Sequence, residues 1–350
     1  GSMGPGTKLP SLGHAPYLDL KTYYREAALG MIDGGADGIL IETAQDLLQV
    51  KAAIHGCQEA FAEVGYRLPI VCHVTVETTG TMLLGSEIGA ARSTLEALGV
   101  DVIGLNCATG PAEMSEHLRY LSRTTSCGIG AMPNAGLPEL TPEGAVYPLG
   151  PDALADALAG FLDDYGLCVI GGCCGTTPDH IRLLAERFGG REVRPREITT
   201  ERTCSSLYVE VPFHQDLSYL NIGERTNANG SKAFREAMLA GNTDDCVEIA
   251  KGQARDGAHV LDLCVDYVGR DGISDMEELA GRLSTAVTLP IVLDSTEPQV
   301  LQAGLEKLAG RCVINSVNYE DGDGPASRFA RVMPLVAEHG AAVVAPARAE

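Results

Sequence analysis

The chain has 350 residues and a formal net charge of -21, an excess that repels a phosphate backbone or an anionic membrane and so disfavours both as partners. Hydrophobic residues make up 45% and charged ones 21%, with no long uninterrupted apolar run; this permits a sizeable soluble core, excludes a membrane span, and at this length suits two domains. Eleven cysteines lie in apolar, strand-like runs behind no signal peptide, which points to a reducing cytoplasm and away from a secreted disulfide framework.

In chain order, the opening Gly1-Ser2-Met3 reads as an expression scar and is set aside. From Tyr17 to Phe188, helix-patterned stretches alternate with short runs rich in Val, Ile and Leu at 38–41, 70–75, 102–105, 128–132 and 168–170. These runs are apolar throughout, as expected of parallel strands covered on both faces. Pro111 and Pro178 suit first helical turns, and Gly34-Gly35 can close the helix that starts near Leu20. A charged, Pro- and Ser/Thr-rich stretch without helical periodicity at 189–216 reads as an interdomain linker. A second βα series follows, with strands near Leu220 and at 259–265, 290–293, 312–316 and 341–344. The predicted division is therefore 4–188, linker 189–216, and 217–350.

No glycine-rich dinucleotide turn follows a strand. Polar residues and cysteines instead cluster just after strands, at Glu42-Thr43, Asn106-Cys107, Asn134, Gly172-Cys173-Cys174, Asn227, Asp294-Ser295 and Asn315-Ser316, where a barrel keeps its active-site face. The fold expected is α/β, with two tandem (β/α)8 TIM-type barrels, both incomplete in this chain.

Cys107 follows one predicted strand, and Cys173 with Cys174 follow another. Strand-end loops of a barrel converge, so three thiolates with one exchangeable position are a way to hold catalytic zinc, whose open position suits a thiol substrate. The competing readings are small buried hydrophobes, which Cys72, Cys127, Cys168 and Cys312 inside strands fit best, and a redox pair, which adjacent cysteines make only as a strained ring. GLNCATGP around Cys107, MPNAGLP around Asn134 and GGCCGTTPDHI around Cys173-Cys174 closely resemble the homocysteine S-methyltransferase barrel, in which those cysteines bind zinc. The resemblance implies that Glu42, in ILIETAQD, holds the amino group of homocysteine and that Asn134 lies near the amino acid end of the substrate. Taken alone, Glu42 is also a helix N-terminal charge and Asn134 a turn former before Gly136.

In the second half, NIGERTNANGSKAFREA places Glu224 and Asn227 at the end of a strand, and Asp294-Ser295 and Asn315-Ser316 end two others. Carboxylates and amides at one mouth suit a heterocycle with several donors and acceptors, such as a pterin; Asp294-Ser295 is also a good helix start. Together these segments resemble the pterin-binding barrel of the cobalamin-dependent methionine synthases, and Glu224, Asn227, Asp294 and Asn315 match its folate-contact positions. Where that family has Asp-x-Asn, this chain reads Asp262-Leu263-Cys264, so Asp262 is carried over and Cys264, which lacks the amide, is not.

The resemblance implies methyl transfer from 5-methyltetrahydrofolate, through methylcobalamin on a domain absent from this chain, to zinc-activated homocysteine. It also implies that the early strands of the first barrel and the later strands of the second lie outside the chain, which would leave the fragment poorly active alone. No residue is an obvious acid for the pterin, so no catalytic residue is assigned. The tail 346–350 does not resemble the family. The alternatives are a corrinoid-independent homocysteine S-methyltransferase, which would lack the second barrel, and an inactive zinc- or folate-binding fragment.

Overall fold

A computed structural model of the chain describes residues 1–142 and 144–346; the tail beyond Pro346 lies outside them. The first unit runs β1 (Ser2–Met3), α1 (Tyr17–Asp33), β2 (Ile39–Ala44), α2 (Leu47–Val64), β3 (Ile70–Val74), α3 (Ile88–Ala97), β4 (Val102–Asn106), α4 (Pro111–Thr124), β5 (Gly128–Met132), a hairpin of β6 (Glu139–Thr141) and β7 (Gly144–Val146), α5 (Pro151–Tyr165), β8 (Val169–Ile170) and α6 (Pro178–Phe188). Its six-stranded sheet has the order β1-β2-β3-β4-β5-β8, with every pair parallel. Pro111 and Pro178 open their helices as expected, and Asp46 caps α2 by accepting from the Leu48 amide at 2.9 Å, filling one of the donors that a helix start leaves open.

The connecting segment contributes β9 (Thr203–Ser205) and β10 (Glu210–Pro212). The second unit then runs β11 (Ile222–Gly223), α7 (Lys232–Leu239), α8 (Thr243–Arg255), β12 (Val260–Leu263), α9 (Gly272–Ala286), β13 (Ile291–Asp294), α10 (Pro298–Lys307), β14 (Val313–Asn315), α11 (Arg328–His339) and β15 (Ala342–Val344). Its five-stranded sheet has the order β11-β12-β13-β14-β15, again all parallel. In both sheets each strand lies beside its sequence predecessor, so right-handed crossovers put every helix on one face, as in a (β/α) barrel; a doubly wound sheet reverses direction at a switch point. Among the described residues the end strands of either sheet do not pair with each other.

The first strand corrects the sequence reading. Gly1-Ser2-Met3, set aside as a scar, joins the sheet: Ser2 pairs with Leu40 and Met3 with Ile41, and Met3 is buried. The edge of β2 offers unpaired amides and carbonyls, and any extended segment within reach can satisfy them.

Inside the first sheet, the concave face is filled around His73 of β3, which is fully buried. Its ring lies over two strand glycines: a Cβ on Gly104 would come within 2.6 Å of the ring and one on Gly130 within 2.3 Å. Glycine in these strands makes room for the imidazole.

Segment 189–216 is more than a tether. The hairpin β9–β10 is antiparallel, and its Cys204 packs with Val260, Val292 and Val313 at the starts of β12, β13 and β14, covering the floor of the second sheet. The hairpin also meets α3, where Thr203 donates to Ser93 at 2.8 Å and Thr94 lies 3.1 Å from the Ser205 hydroxyl. The first core extends through Leu207 of the connector to Ala309 of the second unit. Lys51 of α2 is buried, and its ammonium donates to the carbonyls of Leu305 at 2.6 Å and Leu308 at 3.2 Å, capping the C-terminal end of α10 from the other unit. Among the described residues no helix is long and apolar enough to cross a membrane.

Candidate functional site

The ends of β4, β5 and β8 bring Cys107, Cys173 and Cys174 together, with their sulfur atoms within 4.8 Å of one another. The loops are held by the backbone: Cys107 N–H donates to the Met132 carbonyl at 3.3 Å and Cys173 N–H to that of Pro133 at 2.9 Å. Cys107 and Cys174 sulfurs are 3.7 Å apart, which matches the edge of a tetrahedron with Zn–S bonds of ~2.3 Å, about 3.8 Å. Hydrogen bonding to Cys173 lowers the Cys107 thiol to about 5 against the opposing effect of burial, and the same interaction raises Cys173. Among the described residues, non-glycine left-handed backbone occurs at Thr43 (φ 56°), Cys107 (φ 62°) and Ala108 (φ 56°). All three lie at this mouth, and each costs about 1–3 kcal/mol, which surrounding hydrogen bonds must offset.

Asn106 organises the mouth from the end of β4. Its side chain accepts from the Thr43 amide at 2.7 Å and donates to the Thr43 hydroxyl at 2.8 Å, to Glu42 at 3.4 Å and to the Cys173 sulfur at 3.7 Å. Glu42 therefore sits beside the cysteines, where its other carboxylate oxygen accepts from the Ser2 hydroxyl. Asn134 is buried, and its side-chain oxygen accepts from the Cys174 amide at 3.0 Å; in this geometry it steadies the cysteine loop. Tyr147, after β7, lays its ring over Gly175 and its hydroxyl meets Cys174.

The other cysteines divide. Cys72 and Cys312 are buried, with burial raising both thiols, as expected of small hydrophobes. Cys127 is half-buried and packs against the first core, in keeping with that reading, whereas Cys168 is exposed and does not fit it.

In the second unit, Asn227, Asp262, Asp294 and Asn315 converge at the strand ends. The Asn227 amide donates to Asp262 at 2.8 Å and to Asp294 at 3.3 Å, and Asp294 stands beside Asn315 in register. Beside them opens a hollow of about 340 Å³ lined by Asp294, Ser295, Asn315, Ser316, Arg328 and neighbours. Arg328 clamps its rim, donating to the carbonyls of Ser316 at 2.6 Å, Thr296 at 3.0 Å and Ser295 at 2.9 Å. Glu224 is exposed and acts on Asp262 through its charge. Cys264, where the resembling family has asparagine, is buried and its sulfur accepts from the Asn229 amide at 3.6 Å.

Residues 1–188 match the family model described as homocysteine S-methyltransferase. The chain belongs to that family. Residues 223–349 match the model of pterin binding enzymes. The chain is 66% identical to the methionine synthase of Mycobacterium tuberculosis and 65% identical to that of Mycobacterium leprae, over 99% of its own length in both cases. It spans 29% of the length of each of these relatives. A solved apo structure of a homocysteine methyltransferase from Escherichia coli aligns at a TM-score of 0.41 and 23% identity, over 53% of this chain and 61% of that one, a likeness too weak to bear on the site.

For this family member, sequence reasoning placed Asn106 at the strand ends but gave it no role, and missed Tyr147 and Asp266. Asp266 accepts from the Ser295 hydroxyl at 2.7 Å and the Thr296 amide at 2.9 Å, fixing the loop after β13. Position just after a strand singled out Asn106 together with Cys107, but its bonds to Thr43, Glu42 and Cys173 reach residues distant in sequence.

Asp262 carries the clearest electrostatic cost. Burial, then the charges of Asp294 and Glu224, raise its carboxyl to about 6, against the lowering effect of bonds from Asn227 and Asn315. The folded chain then holds this proton more tightly than the unfolded one, so stability falls as pH rises from the ordinary carboxylate value towards 6 and stays low above it. Asp262→Asn should therefore stabilise the chain by up to about 3 kcal/mol at pH 7.5 and by almost nothing at pH 3.5. Urea denaturation at the two pH values checks this; equal effects at both would contradict the assignment.

Proposed function

We propose that the chain is the homocysteine- and folate-binding part of a cobalamin-dependent methionine synthase, divided into a homocysteine barrel up to residue 188, a connector at 189–216 and a pterin barrel from 217 onward. The carrying observation is the joint presence, in one chain, of a three-thiol cluster with its sulfur atoms within 4.8 Å of one another and a mouth of alternating amides and carboxylates.

Cys107, Cys173 and Cys174 would hold zinc, Asn106 and Asn134 keeping their loops in place. Bound there, zinc supplies the Lewis acidity that keeps a fourth, substrate thiol deprotonated at neutral pH. Glu42, beside the cluster, is suited to the ammonium group of homocysteine. In the second mouth, Asp262 and Asp294 offer acceptors for the N–H groups of a pterin, Asn227 and Asn315 offer both functions, and Glu224 adds negative charge at the rim. Donation of N–H groups to Asp262 favours its ionised form, so binding should tighten as pH rises through about 6. The methyl group would pass through a corrinoid carried on another part of the full-length enzyme, with 5-methyltetrahydrofolate as donor and homocysteine as acceptor. Such an enzyme works in the cytoplasm, consistent with its reduced cysteines.

Asp294→Ala and Asn315→Ala should each weaken 5-methyltetrahydrofolate binding by about 1–3 kcal/mol, because each leaves a pterin donor or acceptor unpaired in the closed site. Titration calorimetry on the full chain measures it, and wild-type affinity in both variants would remove the pterin reading. A corrinoid-independent methyltransferase, the nearest rival, predicts no folate binding by the parent chain.

A further inference from the structure

A second group of metal-ligating side chains lies across the joint between the two units, away from the cysteines. His55 projects from the middle of α2, and Glu338 and His339 end α11; one ligand atom from each lies within 4.8 Å of the others. Both histidines are buried, 1% and 3% exposed, and their rings meet edge to face with centroids 4.8 Å apart. Yet Nε2 of His55 and both ring nitrogens of His339 lack a hydrogen-bond partner. A buried polar atom left unpaired costs about 1–3 kcal/mol, so three of them in one place need a reason.

We propose that His55, His339 and Glu338 form a second divalent-metal site, for a borderline cation such as zinc, which staples the first unit to the second. The orientation of His55 supports this: its Nδ1 is hydrogen-bonded to the Tyr17 hydroxyl, and with Nδ1–H donating there, Nε2 keeps a free lone pair turned towards the cluster. A ligating histidine characteristically gives its other nitrogen to such a partner. Glu338 is exposed and supplies the anionic ligand, leaving a fourth position open to water. Donors around a tetrahedral zinc stand ~3.3 Å apart, so the three side chains close by small rotations.

Two lysines oppose a cation here, and both have other partners. Lys51 is anchored on the carbonyls that cap α10. Lys21 lies 3.7 Å from Glu338 but 2.8 Å from Glu59, so it keeps an acidic partner when Glu338 turns to the metal.

The test is cobalt(II) and zinc(II) titration of the full chain with Cys107→Ser, Cys173→Ser and Cys174→Ser, which removes the thiol site. One equivalent of cobalt should bind with visible ligand-field bands and no thiolate charge-transfer band. Adding Glu338→Gln, an exposed change that leaves packing intact, should weaken binding at least ~10-fold, the scale already seen for outer-shell losses; His55→Gln with His339→Gln should abolish it. No uptake of either ion by the triple serine chain would overturn the site, as would uptake unchanged by Glu338→Gln. Should the double histidine variant fail to fold by circular dichroism, the Glu338→Gln comparison decides.

Discussion

Replacing Cys173 by serine should remove one equivalent of zinc per chain and, in the cobalt-substituted protein, the thiolate charge-transfer band. Serine keeps the size of the side chain, but its hydroxyl does not ionise at neutral pH and is a hard donor where zinc favours soft thiolate. The remaining pair, Cys107 and Cys174 at 3.7 Å, is one ligand short of a site that already leaves its fourth position open. The change also removes the acceptor that Asn106 addresses at 3.7 Å, loosening the contact between the cysteine loop and the strand carrying Glu42. The fold should survive, since Cys173 is only half-buried. Metal analysis with melting curves of both proteins checks the two halves of the expectation; unchanged metal content and an unchanged band in the cobalt protein would refute the ligand assignment. Acid should release the metal from the parent chain as ligands take up protons.

Gly104→Ala should cost about 3 kcal/mol or more. The new methyl would sit 2.3 Å from the Gly130 carbonyl oxygen and 2.6 Å from the His73 ring, and the first of these is backbone in the neighbouring parallel strand. Relief requires either moving β5 or expelling the imidazole from the concave face, and overpacking of that kind costs at the upper end of the usual range. Gly160→Ala is the natural control. It lies within α5, and an added methyl meets nothing within 4 Å, so alanine should stabilise by about 0.5–1 kcal/mol through helix propensity alone. Urea denaturation distinguishes the two readily; a neutral Gly104→Ala would mean that the sheet interior yields more easily than its packing suggests.

The strands of both sheets were legible because buried parallel strands are written as short apolar runs between turn residues, and each bounded run that was predicted overlaps an observed strand. The cysteine cluster was legible because topology alone carries strand-end residues to one mouth. Three features were not. Ser2–Met3 was discarded for its composition, whereas its pairing with β2 is decided by an open sheet edge. The hairpins at Glu139–Val146 and Thr203–Pro212 have strands of three residues, too short to establish an alternating pattern. The roles of Asn106 and Asp266 reside in bonds to distant loops, which no local spacing encodes. Asn134 shows the opposite case: its place at the mouth was foreseen, but its side-chain oxygen is occupied by the Cys174 amide.

The hairpin under the second sheet has a geometric consequence. Its Cys204 and Val211 lie against the starts of β12, β13 and β14, while Asp262, Asp294 and Asn315 stand towards the ends of the same strands. The second unit is therefore docked by its base and by the helices α10 and α11, and its open rim looks away from the joint. If the two mouths serve one reaction, a courier that detaches from one, travels around the outside of the molecule and presents its cargo at the other suits this arrangement.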